Sequence, residues 1–280
     1  MIVSHYTFDA VPRAARFPAA PTVAGLPKAA PMTAIVAFFI VFLVPVTGAL
    51  AGPCYPHLWG GFATSLAERS PEQRGNAARA AMDLDGVLIP AGGVFSFNAR
   101  VGARDPMKGY LPAPIINERG RLSDIAGGGI CQMASTIYNA ALEAGMEIVE
   151  RHPHSRSVGY VPPGRDATIL TWRKDLKLRN PHPGPLLLRV KIAGNRLTVG
   201  FWSQEERRFR VTIHSDIIPL EPDTAVSWTA ENVGGAEQRG GTGFSVVTRR
   251  TVSRAGTVTE QVLSRDVYPA PSRILAGERP

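Results

Sequence analysis

The stretch Gly127–Leu142, GGGICQMASTIYNAAL, decides the fold class. Apolar residues Ile130, Ala134, Ile137, Tyr138, Ala141 and Ala144 recur at helical spacing, and Gly145 supplies a stop, which predicts a buried amphipathic helix starting at Cys131. Gly127, Gly128 and Gly129 stand directly ahead of that first turn. Ser135 follows Cys131 by one turn and Tyr138 by two, so the three share a face. Tyr138 is read as core.

Upstream, Ser70-Pro71-Glu72-Gln73 combines an N-cap, a proline at the first helical position and a capping-box glutamine, predicting a helix to about Leu84. Two short apolar segments follow between Val87 and Phe97 around a Pro-Gly turn. Residues 98–129 are rich in turn formers, and a connection that long is read as a functional loop. Downstream, Met146–His152 alternates as a strand, then Pro153-His154-Ser155 leads into the turn-rich Tyr160–Asp166. Beyond it only strands are predicted, at Ala167–Arg173, Leu186–Ile192, Leu197–Trp202, Phe209–His214, Phe244–Val252 and Thr257–Leu263, with hairpin turns at Gly194-Asn195 and Ala255-Gly256. The class is therefore α+β, with a leader at 1–52, a main domain at 53–204 and a small C-terminal β unit at 205–280.

The leader holds the strongest local signal. Ala34–Ala51 is uncharged and almost wholly apolar, Pro45 interrupts it, and Ala49-Leu50-Ala51 has the small-x-small pattern of a cleavage site. Arg13, Arg16 and Lys28 precede it, so the expectation is export, with residues 34–51 as a cleaved signal peptide or a retained membrane anchor. Cys54 and Cys131 are the only cysteines of the 280 residues, compatible with a single disulfide in an exported chain. The 28 Gly and 24 Pro together make about a fifth of the chain, which predicts many turns. The net charge of +8 rests mainly on Arg, which supplies 26 of the 31 basic residues. These are scattered without interleaved aromatics, which sets nucleic acid aside and points to an anionic envelope ligand such as a wall polymer.

The chemistry converges on Cys131. A thiol at a helix N-terminus behind three glycines meets the positive end of the helix dipole, which lowers its pKa, and backbone N–H groups there can stabilise an oxyanion. His152 or His154 supplies a base in the order Cys-then-His, Gln132 an amide donor, and Asp166 or Glu150 a carboxylate to orient the imidazole. Three other readings stay open: a packing or substrate-lining thiol, a disulfide to Cys54, and a metal site of Cys131, His152 and His154, for which the set is small. Arg104, Arg151 and Arg165 can hold carboxylates or phosphates bidentately, or can pair with Asp105, Glu150 or Asp166. Gly127–Gly129 lacks the Lys-Ser/Thr ending of a phosphate loop and the spacing of a dinucleotide fingerprint, so no cofactor is called.

Phe95-Ser96-Phe97-Asn98, Val101-Gly102-Ala103-Arg104 and Lys108-Gly109-Tyr110 precede the GGGICQ helix, and Glu150-Arg151-His152-Pro153-His154-Ser155 and Tyr160–Ala167 follow it. In this order, over about Pro90 to Asn180, they resemble the VanW domain of the vancomycin B-type resistance protein family. The tail Gly256–Pro271 is similar to the C-terminal hairpin of such proteins. Tyr110, Gly128, Gly129 and Ser135 join Arg104, Arg151 and Arg165 as candidate ligand contacts. The resemblance implies an envelope setting linked to peptidoglycan metabolism or glycopeptide resistance, and no established reaction. A thiol hydrolase or transpeptidase acting on a wall-related peptide or amide is one expectation, and a non-catalytic envelope-binding or assembly module is the other.

Overall fold

A computed structural model describes residues 53–116, 122–221, 226–229, 242–270 and 273–276. The leader with its apolar stretch at 34–51 lies outside the described residues, and among these no helix is long and apolar enough to cross a membrane. In chain order the elements are β1 (His57–Ser65), α1 (Pro71–Leu84), β2 (Leu88–Ile89), β3 (Val94–Ser96), α2 (Phe97–Val101), a 3-10 turn at Pro106–Lys108, β4 (Pro112–Ile116), β5 (Leu122–Ala126) and α3 (Ile130–Glu143). They continue with β6 (Glu147–Glu150), β7 (Lys177–Arg179), β8 (Leu186–Ala193), β9 (Arg196–Ser203), β10 (Phe209–Pro219), β11 (Val226–Thr229), β12 (Phe244–Arg254), β13 (Thr257–Tyr268) and β14 (Arg273–Ala276). The sheets run β1-β9-β8-β2, β3-β7-β6, β4-β5 and β10-β12-β13, all antiparallel, while β11 pairs with β14 in parallel. The result is a strand-rich α+β fold.

Local signals explain the helices. The Ser70 hydroxyl accepts from the Gln73 N–H at 3.3 Å and the Gln73 side chain returns the bond to the Ser70 N–H at 3.2 Å, starting α1. α3 is the centre of the core: from Ile130 to Leu142 every residue is buried except the half-buried Cys131. Its first residue is Ile130, with Gly129 at the N-cap in a left-handed conformation, φ 96°, so Cys131 is its second residue and not its first.

The polar residues of α3 are buried because each has a partner. Thr136 meets Thr64 of β1 at 2.9 Å, and the Asn139 amide donates to the carbonyls of Ser135 and Arg165, both at 2.7 Å. β1 approaches α3 closely at Gly60, where an added Cβ would lie 2.3 Å from the Ala144 nitrogen and 2.4 Å from the Ala140 carbonyl oxygen. Both are backbone atoms with little freedom to yield. Gly60→Ala is therefore expected to destabilise the fold by roughly 3 kcal/mol. A thermal midpoint within a degree or two of wild type would show that the strand and helix separate freely.

Three stretches differ from the sequence expectations. Residues 98–129 are not a bare loop: they hold α2, the 3-10 turn and the β4–β5 hairpin. The 167–173 stretch is not a strand; Ala167 bonds to the Ser135 hydroxyl, Thr168 donates to the His152 carbonyl at 2.7 Å, and Leu170 and Lys174 close a turn with Trp172 at φ 64°. Its backbone groups are satisfied by α3 side chains and the neighbouring loop, leaving none for a sheet ladder. Finally β6 ends at Glu150, ahead of His152, since Pro153 has no N–H to continue the ladder.

The β10-β12-β13 sheet is seated on the segment that follows α3. Arg250 donates to the Met146 carbonyl at 2.6 Å, Thr248 to the Gly164 carbonyl at 3.3 Å, and Gly164 to the Tyr268 hydroxyl at 3.2 Å. This seating carries β13 to the candidate site.

Candidate functional site

Cys131 sits half-buried at the N-terminal corner of an otherwise buried helix. Two glycines set its place. The Gly128 backbone presses on Ala113 of β4, where a Cβ would come within 2.3 Å of the carbonyl oxygen, and Gly129 takes the left-handed turn into the helix. Ile130 and Gln132 give their N–H groups to the Gly127 and Gly129 carbonyls. The Cys131 N–H has no acceptor among the described residues and remains beside its own thiol as a helix-end donor. The Cys131 thiol lies 3.7 Å from the Ile169 carbonyl oxygen, with the His154 ring as its charged neighbour. Cys54 and Cys131 are both free thiols.

His154 is brought to the thiol by the extended segment after β6, which runs alongside α3. Ser135 and Asn139, one helical turn apart, fasten that segment at Ala167 and Arg165. Asp166 lies between these anchors, 2% exposed, and Oδ2 accepts from the His154 backbone N–H at 2.7 Å and from Nδ1 at 2.6 Å. With Nδ1 engaged by the carboxylate, Nε2 is the nitrogen left for Cys131. The Asp166 Oδ1 accepts from Arg151 Nη2 at 3.0 Å and from the Tyr268 hydroxyl. Arg151 reaches back with Nη1 to both oxygens of Asp266, each at 2.6 Å, and with Nε to the Asp166 carbonyl at 2.6 Å.

Opposed effects set the protonation states. Burial disfavours the charged imidazole of His154, but the hydrogen bond it gives to Asp166 and the interaction with Cys131 outweigh it and raise its pKa to about 9. Burial likewise works against the Cys131 thiolate, and the interaction with His154 and its charge override it, leaving the thiol below its ordinary value. Asp166 resists burial through His154 and Arg151 and falls to about 2. The arrangement favours a thiolate–imidazolium pair with an ionised carboxylate behind it, the activated form of a thiol nucleophile.

The other sequence candidates divide. His152 pairs through Nε2 with Glu150 at 3.0 Å, and Glu150 also takes Lys177 at 2.7 Å, so this histidine belongs to the surface of the β6–β7 pair. Gln132 is buried and gives its amide donors to Thr64 at 3.0 Å and the Ser65 carbonyl at 2.8 Å; it ties α3 to β1 and has none for an oxyanion. Arg151, 5% exposed and fully paired, is a support for Asp166 with no face for a ligand. Arg165 places its guanidinium over the Phe62 ring at 5.2 Å and near Glu143, toward the far end of α3 from Cys131. Tyr110 is buried with its hydroxyl unpartnered, and burial pushes that hydroxyl's pKa up. Arg104 stays at the site, its Nη1 donating to Asn98 at 2.8 Å.

Four residues escaped the sequence reading. Asp266 and Tyr268 buttress Asp166 from β13, about a hundred residues away. Arg69 lies over the Tyr160 ring at 5.0 Å and holds Gln132 at 2.6 Å, and Tyr160 sits edge-on to His154 with centroids 6.5 Å apart. The only signal for the β13 pair was Asp266-Val267-Tyr268 itself, whose alternation puts both side chains on one face.

Residues 72–202 match the family model described as VanW like protein. The chain is 40% identical over 146 residues to the uncharacterized protein YoaR of Bacillus subtilis (strain 168), which covers 52% of this chain and 48% of that protein. It is 34% identical over 110 residues to the vancomycin B-type resistance protein VanW of Enterococcus faecalis (strain ATCC 700802 / V583), covering 38% of this chain and 40% of that protein. The chain thus spans about half the length, or less, of these curated relatives. No solved structure matches it. Arg104, Cys131, His154 and Asp166 all fall inside the matched stretch, while Asp266 and Tyr268 lie beyond it.

Proposed function

Taking residues 72–202 as a VanW-like domain, we propose that this chain is an exported cell-envelope thiol enzyme, a hydrolase or transpeptidase of a wall-related peptide or amide bond. The carrying observation is the grouping at the start of α3 of Cys131 with the His154 imidazole, whose Nδ1 is hydrogen-bonded to Asp166 at 2.6 Å. Cys131 Sγ attacks the carbonyl carbon, and the oxyanion that forms faces the Cys131 N–H and the positive end of the helix. His154 gives its Nε2 proton to the departing amine as the C–N bond breaks, leaving a thioester. Water or a second amine then attacks the thioester, His154 takes up its proton, and the thiolate is restored. Asp166 keeps the imidazole in the needed tautomer and orientation throughout. The apolar stretch at 34–51 supports placement outside the cytoplasmic membrane, cleaved or anchored.

Incubation of the purified chain with purified sacculi and their released peptides, read by mass spectrometry, tests the proposal. Wild type is expected to cleave or exchange a peptide or amide bond, and Cys131→Ala to lose the activity completely. Activity retained in Cys131→Ala would reject thiol chemistry. The net charge of +8 favours a second reading, a binding module for an anionic wall ligand. That reading expects no bond change with wild type and binding to sacculi that Cys131→Ala keeps and added salt removes.

A further inference from the structure

Arg104 is the basic group of the site that the catalytic line leaves unused. Its side-chain stem crosses the loop that caps α3: a Cβ added to Gly127 would stand 2.9 Å from the Arg104 Cβ and 3.4 Å from its Cδ. The head is held by Nη1 donating to Asn98 Oδ1 at 2.8 Å. Asn98 is itself pinned, its amide donating to the Lys174 carbonyl at 2.8 Å and the Leu170 carbonyl at 3.3 Å. The turn carrying those two carbonyls also carries Ile169, whose carbonyl oxygen meets Cys131 Sγ at 3.7 Å. Guanidinium and thiol are thus fastened to one turn, close enough that the Cys131 charge is felt at Arg104.

Arg104 lacks a counter-ion: Arg151 is neutralised by Asp166 and Asp266, whereas no carboxylate among the described residues stands within ion-pair distance of Arg104. Asp175, the carboxylate whose charge acts on Arg104, spends its oxygens on Ser96 at 2.5 Å and on the Asn98 and Leu176 N–H groups at 2.9 and 2.8 Å. A half-buried guanidinium with a single hydrogen-bond acceptor carries a desolvation cost that an incoming anion would offset. Its planar fork matches a carboxylate in two-point contact better than any neutral group.

We infer that Arg104 is a carboxylate-recognition residue, and that the substrates of this site are acyl compounds bearing a free carboxylate within a residue or two of the bond that Cys131 attacks. This inference rests on the thiol reading above and adds the substrate class to it. A carboxylate so held fixes the scissile carbonyl against Sγ and the helix-end N–H, and a substrate lacking it loses that register.

Two alkylating agents of nearly equal size test the idea without knowledge of the natural substrate. Iodoacetate carries a carboxylate next to its reactive carbon and iodoacetamide a neutral amide in its place. In both reactions the S–C bond forms as iodide leaves. Peptide mapping follows Cys131, and the exposed Cys54 of the same molecule serves as the reference thiol. The iodoacetate-to-iodoacetamide rate ratio at Cys131 is expected to exceed that at Cys54. In Arg104→Gln the Cys131 ratio is expected to fall about tenfold while iodoacetamide still reacts, with Arg104→Lys between the two. A ratio unchanged in Arg104→Gln overturns the inference and leaves the nucleophile standing. A Cys131 inert to both reagents in wild type overturns the thiol reading itself. Peptides ending in a carboxylate or an amide, and peptides with a Glu side chain and an amidated end, then compete against iodoacetamide. Protection by the first alone assigns a chain-terminal carboxylate, protection by the third a side-chain one, and equal protection by all three contradicts the assignment.

Discussion

Asp166→Asn is expected to cut thiol-dependent turnover by roughly three to four orders of magnitude and to weaken the fold at the same time. The carboxylate accepts two bonds from His154, one from Arg151 and one from Tyr268. An amide can place an acceptor toward only one side, so it turns an N–H donor against either the imidazole or the Arg151–Tyr268 pair. Without the carboxylate, burial is free to favour neutral His154, whose pKa then drops from about 9 toward or below the ordinary 6.5. The imidazolium partner of the thiolate is lost with it. Turnover and the rate of Cys131 alkylation at neutral pH measure the first effect, and the denaturation midpoint the second. A folded Asp166→Asn protein with wild-type alkylation kinetics would remove Asp166 from the site's working parts.

The same pairings define how stability follows pH. His154 has its folded pKa raised, so its contribution is complete below the ordinary 6.5 and disappears as pH climbs through about 9. Asp166 has its folded pKa lowered, so its contribution is complete above the ordinary 3.8 and disappears as pH falls through about 2. Between these limits the network is fully charged.

Asp266→Ala is expected to destabilise the protein by about 3–5 kcal/mol, because it strips the two-point partner from Arg151 at a position where both side chains are only 5% exposed. The guanidinium would keep Asp166 as its single anion and shift toward it, disturbing the bonds to His154. Asp266→Asn keeps an acceptor and is expected to lose less. Chemical denaturation of the two variants checks this order. A loss under about 1 kcal/mol for Asp266→Ala would mean that water reaches the pair and that β13 is no support for the site. Asp266 and Tyr268 lie outside the family-matched residues, so the C-terminal sheet supports a candidate site whose Cys131, His154 and Asp166 lie within them.

The parts of this fold that sequence discloses are those set by neighbours in the chain. The Ser70–Gln73 box, the apolar spacing of α3 and the turns at Gly194-Asn195 and Ala255-Gly256 are all local, and each stands where its residues predict. The candidate site is legible in part. Cys131, a following histidine and Asp166 are visible as types in a chemically sensible order. The choice of His154 over His152 is not, because it turns on Pro153 ending the ladder and on Glu150 and Lys177 drawing His152 to the sheet surface. Arg151 reads as a ligand-binding cation until Asp266 is seen beside it, and that pairing spans 115 positions. Gln132 reads as an oxyanion donor until Thr64 and Ser65 take its amide.

The claim that Cys131 and His154 form a thiolate–imidazolium pair is tested most directly by the pH dependence of iodoacetamide alkylation at Cys131, in wild type and in His154→Ala. Wild type is expected to show a reactivity midpoint below the ~8.5 of an ordinary thiol, and His154→Ala a midpoint above it, since burial then acts on the thiolate without its main counterweight. A wild-type midpoint at or above ~8.5 that His154→Ala leaves in place would contradict the pair.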